Sequence, residues 1–123
     1  MASTVSTKKM AGAGEPWEEI RDNVVNPVLN KGQYVTGMRT ELPSNWGDKK
    51  ASFDFTLENN GTLDGQQKIR MIGNYLSWLN KNFKPYDSTY EWVITDYKTG
   101  VKDPAAFQDL THVEATLQKK SGF

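Results

Sequence analysis

Apolar side chains recur along most of this chain at one of two spacings, and each spacing predicts a local structure. Trp17, Ile20 and Val24 fall at i, i+3 and i+7 behind Pro16, so a helix is expected to open at Glu15-Pro16, where proline suits the first helical position. Glu15, Glu18 and Glu19 complement the positive end of that helix. Asn26-Pro27 breaks or kinks it, and Lys31-Gly32 is a second stop signal. From Gln33 to Leu42 the composition becomes β-like, and from Ala51 to Glu58 the alternation is clean. Phe53, Phe55 and Leu57 share one face there; Ser52, Asp54, Thr56 and Glu58 share the other. The intervening Pro43-Ser44-Asn45-Trp46-Gly47-Asp48 has turn chemistry, which makes a hairpin the economical connection.

Asp64 followed by Gln67 forms a capping-box pattern ahead of Ile69, Ile72, Leu76, Leu79 and Phe83, which predicts the core helix of the domain. Lys84-Pro85 ends it. Ser88 to Tyr97 reads as a third strand, with Tyr90, Trp92 and Ile94 on one face and Glu91, Val93, Thr95 and Tyr97 on the other. Because neither face is fully polar, that strand is expected to be central or covered on both sides. Lys98-Thr99-Gly100 predicts a turn, and Asp103-Pro104 the start of a last helix carrying Phe107, Leu110, Val113 and Leu117. The expected order is α-β-β-α-β-α, a single small α+β domain with a mainly antiparallel sheet over residues 15–123. Residues 1–14 show no hydrophobic periodicity and are expected to form a flexible arm.

Composition narrows what such a domain can do. Lys and Arg together number 15 and so do Asp and Glu, so there is no overall field to attract nucleic acid, membrane or an acidic substrate, and any attraction is local. With no cysteine, disulfides, thiol nucleophiles and cysteine-based zinc sites are excluded. No apolar run reaches membrane-spanning length and the first ten residues lack a signal-like core, which predicts a non-secreted protein without membrane contact, cytoplasmic or, as a second reading, virion-associated. Phosphate loops and nucleophile elbows are missing too.

Little remains that resembles chemistry. His112, the single histidine, is expected to be a solvated residue of the last helix, with Glu114 on a different face. The carboxylate pairs Glu18/Asp22 and Asp54/Glu58 are better explained by helix-end charge and by the wet side of a sheet. Lys50 to Phe55 lacks the spacing of the aromatic strand motif of RNA-recognition domains, so Phe53 and Phe55 are assigned to the core. The most suggestive segment is Gln66 to Tyr86, which holds Lys68, Arg70, Lys81 and Lys84 without an acid and is therefore the candidate nucleic-acid contact. Trp46, a large aromatic in a polar loop, is the candidate protein-interface anchor. These features suggest a non-enzymatic binding or assembly protein needing no cofactor or metal. It would contact itself or another protein, with nucleic acid as a further partner, as in a viral, phage or nucleoprotein subunit. The alternatives are an inhibitor or immunity-type module and a small carboxylate-based hydrolase.

Overall fold

The structure, a computed structural model, describes residues 16–43, 49–57, 63–85, 87–103 and 108–121. The arm expected at 1–14 and Trp46 lie outside them. Strands β1 (Val35–Glu41) and β2 (Lys50–Leu57) form the expected antiparallel pair, and β2 buries Ala51, Phe53, Phe55 and Leu57 as its alternation requires. Two further strands, β3 (Tyr90–Asp103) and β4 (Gln108–Lys119), complete a four-stranded sheet of order β1-β2-β4-β3 in which all neighbours run antiparallel. One sheet face is covered by helices and the other is polar.

The α+β class and antiparallel sheet stand as expected, while the last element does not. Residues 108–119 form β4 instead of a helix, because Thr111, Val113, Ala115 and Leu117 alternate inward against His112, Glu114 and Thr116. Lys98-Thr99-Gly100 continues β3 and is not a turn. Nor is β3 central: it is an edge strand whose irregular faces come from a register shift between Ile94 and Asp96. One extra residue there changes the side-chain parity, so Ile94 and Tyr97 both pack toward the core while Asp96 and Lys98 lie beside Glu114 and His112.

The covering layer has two parts. The first opens as α1 (Pro16–Ile20), widens into a π-helical turn (Arg21–Val25) and tightens into a 3-10 turn (Asn26–Val28) at the predicted Pro27 break. It buries Ile20, Val24, Val25 and Val28, and the chain then turns at Gly32, whose φ of 91° favours glycine. The second part is α2 (Gly65–Asn82), started by the capping box that the sequence predicts: Gln67 N donates to Asp64 Oδ1 at 2.8 Å and Asp64 N to Gln67 Oε1 at 3.0 Å.

Polar side chains of α2 tie the two parts together. Gln67 Nε2 donates to Val28 O at 2.9 Å, Arg70 Nη2 to Pro27 O at 3.2 Å and Asn74 Nδ2 to Val24 O at 3.3 Å. Positions 67, 70 and 74 share one side of a helix, and they meet carbonyls that an irregular, terminating helix leaves without regular partners. Below this seam, Met71, Tyr75, Trp78 and Leu79 are buried on the sheet, with the Tyr75 and Phe53 rings edge-on at 4.6 Å. Burial, with a smaller contribution from the Glu114 charge, pushes the Tyr75 phenol far above its ordinary range. Its hydroxyl lacks a hydrogen-bond partner and stays neutral. Trp92 Nε1 donates to Phe83 O at 2.9 Å and fastens β3 to the end of α2.

The buried face of α2 is not the one expected. Leu79 and Phe83 are core residues, but Ile69 is 71% exposed and Ile72 and Leu76 are half-buried. No described helix is long and apolar enough to cross a membrane.

Candidate functional site

Strand pairing sets charged side chains in two rows on the uncovered sheet face. Lys98, His112, Asp54 and Arg39 are successive partners across β3, β4, β2 and β1; Asp96, Glu114, Ser52 and Glu41 form the neighbouring row. His112 is the hub. Its Nδ1 is bonded to Asp54 Oδ1, and its Nε2 lies 3.6 Å from Glu114 Oε1 and 3.8 Å from Asp96 Oδ2. Each carboxylate meets a base on its far side: Arg39 to Asp54 at 3.5 Å, Lys50 to Glu114 at 3.6 Å and Lys98 to Asp96 at 3.7 Å.

The sequence missed this cluster because it placed His112 on a helix, where Glu114 points elsewhere. The period-two pattern Thr111-His112-Val113-Glu114-Ala115 carried the correct signal. Nδ1 of His112 is held by Asp54, while Nε2 lies beyond hydrogen-bond reach of Glu114 and Asp96. Among the described residues no hydroxyl is bonded to His112, and no group of His, Asp and Glu has an arrangement that could hold a metal ion. The exposed pairs at its rim are each worth about 0–1 kcal/mol.

The four bases of the predicted nucleic-acid contact are not brought together. Lys68 Nζ sits 4.3 Å over the Tyr97 ring, and Arg70 is turned back to Pro27 O. Two residues apart on a helix, they point to different sides. Lys81 borders a polar groove of about 280 Å³ between the first helical part and α2, roughly 20 Å along the axis from Lys68. Lys84 is exposed beyond the end of the helix.

A different surface of α2 is unusual. Ile69, Ile72 and Leu76 follow one another at i, i+3 and i+7 along the margin of the buried stripe: Leu76 packs against the core and Ile72 is half-buried, while Ile69 is exposed with exposed Gly73 one turn on. Glycine at mid-helix costs about 0.5–1 kcal/mol relative to alanine. Nothing in the fold requires it: a Cβ at Gly73 would meet no atom within 4 Å, whereas at Gly37 it would lie 2.9 Å from Thr56 Oγ1. From Ile69 to Asn80 the single charged residue is Arg70, which reaches to Pro27. The result is an uncharged strip of Ile69, Gly73, Ser77 and Asn80 with one large apolar side chain, on a chain of which 24% is charged.

The chain matches no family model, and no curated protein or solved structure is significantly similar to it.

Proposed function

We propose that this chain is a non-enzymatic binding or assembly protein whose working surface is the outer face of α2. The observation that carries this is Gly73, open and unexplained by the fold, one helical turn from exposed Ile69. A helix that keeps a destabilising glycine beside exposed isoleucine is adapted to close approach by something outside its own domain. The His112 cluster supports the non-catalytic half of the reading, since each of its three carboxylates meets a base and no hydroxyl is bonded to His112 among the described residues. Protein contact is favoured over nucleic-acid contact because Lys68 and Arg70 are engaged within the domain. A subunit of a larger particle, viral or nucleoprotein in type, suits this reading, as does a cytoplasmic setting for a chain without cysteine.

The test is site-specific photo-cross-linking of the full chain in its native cellular setting, with the photoreactive side chain at position 69 or, as control, at position 39. Arg39 is 78% exposed on the opposite sheet face. Position 69 is expected to yield discrete protein adducts and position 39 only background. Equal yields, or none at 69, would contradict the proposal.

A further inference from the structure

A protein that packs closely at Gly73 stands beside the polar groove of about 280 Å³ that separates α2 from the first helical part. Gly73 adjoins Asn74 and lies one turn before Ser77, and both of these residues line the groove. Resting on the reading of α2 as a contact surface, we propose that this groove is a guanidinium site, entered by an arginine side chain of the protein that α2 binds.

Three asparagines of the groove spend their amide nitrogens on the fold. Asn23 Nδ2 donates to Glu19 O at 2.9 Å and to Glu19 Oε2 at 2.8 Å, Asn74 Nδ2 to Val24 O at 3.3 Å, and Asn82 Nδ2 to Trp78 O at 2.9 Å. Each amide oxygen is thereby left to accept, and among the described residues no group donates to Oδ1 of Asn23, Asn74 or Asn82, or to Glu19 Oε1. Both helical parts thus turn spare acceptors, one of them charged, to a single groove. The side chain that matches a surplus of acceptors is arginine, whose guanidinium holds five N–H donors in one plane, has no acceptor and stays charged. An amide brings an acceptor of its own, an ammonium gathers its three donors on one atom, and a carboxylate has no donor at all. Arginine is also enriched among the residues that anchor protein interfaces. The one base lining the groove, Lys81, is exposed at its rim, and among the described residues no carboxylate lies within ion-pair distance of it. Lys81 opposes a cation in the groove, but its flexible four-carbon stem lets the ammonium swing outward.

Methylguanidinium tests the groove by itself. Titrated at millimolar concentration and low salt into the isotopically labelled full chain, it is expected to give saturable NMR shifts at the side-chain amides of Asn23, Asn74 and Asn82, and methylammonium smaller ones. Asn80 is the internal control, since its Nδ2 is bonded to Leu76 O in the same manner but it does not line the groove. The partner's arginine is tested by photo-cross-linking from position 69. Glu19→Gln keeps an oxygen for Asn23 Nδ2 and removes the charge, and it is expected to lower capture about three- to tenfold, as the loss of one net hydrogen-bond contribution implies. Lys81→Ala is expected to raise it. An absent or unsaturable response to methylguanidinium, an equal response to methylammonium, or capture that falls in Lys81→Ala overturns the guanidinium site. Undiminished capture in Glu19→Gln excludes the arginine while α2 remains a binding surface. If the unsubstituted chain captures nothing from position 69, the contact reading of α2 fails and takes the partner's arginine with it, and a saturable methylguanidinium response then supports the groove alone.

Discussion

Phe53→Ala is expected to destabilise the domain by about 3–5 kcal/mol, measured as the change in unfolding free energy by urea or heat. Phe53 is completely buried in β2, with Phe55 at 5.8 Å and Tyr75 of α2 edge-on at 4.6 Å, so its ring is where sheet and helix layers meet. Truncation removes the transfer free energy of the ring, leaves a cavity that β2 and α2 cannot both collapse into, and forfeits an aromatic contact worth about 0.5–1.5 kcal/mol. Domains of this size have total stabilities of roughly 6–18 kcal/mol, so the loss is a large share of what holds the chain folded. A cost below about 1 kcal/mol would mean that the layers do not meet at Phe53.

Gln67→Met, which keeps length and adds hydrophobicity, is nonetheless expected to cost about 2 kcal/mol. Gln67 is 5% exposed and its amide is fully used: Nε2 donates to Val28 O and to Gln33 Oε1, each at 2.9 Å, and Oε1 accepts from Asp64 N. Methionine leaves the Val28 carbonyl without that donor and breaks one half of the capping box. The two helical parts lose the innermost bond of the seam that Arg70 and Asn74 continue. An unchanged or increased stability, by the same urea titration, would show that the seam contributes nothing and that apolar packing alone holds α2 in place.

How far the sequence reveals this molecule depends on whether a segment has one pattern or two. β2 alternates without ambiguity, and Asp64 with Gln67 signals the start of α2, so both were legible. In α2 two apolar stripes compete: Ile69, Ile72 and Leu76 against Met71, Tyr75, Trp78 and Leu79. The aliphatic stripe looked like the core, but the larger aromatic surface wins the sheet, and the seam puts polar Gln67 inside with it. Of the aliphatic stripe Ile69 alone is left exposed, and it borders the proposed working surface. In the last segment, Phe107, Leu110, Val113 and Leu117 also fit a helical spacing. β-branched Thr111, Val113 and Thr116 favour the strand once β2 offers an edge to pair with. The bulge between Ile94 and Asp96 has no local signature, so neither the true faces of β3 nor the place of Asp96 beside His112 could be read from alternation.

The central claim is that Gly73 serves a partner and not the fold, and the urea-unfolding free energy of Gly73→Ala, taken beside its cross-linking yield from position 69, tests it most directly. In dilute solution the substitution is expected to stabilise the domain by about 0.5–1 kcal/mol, since alanine is the better helix former and its methyl group would enter open space. Cross-linking from position 69 is expected to fall in the same variant, because that methyl group occupies the gap the partner needs. A less stable domain, or a more stable one with undiminished cross-linking, would contradict the account.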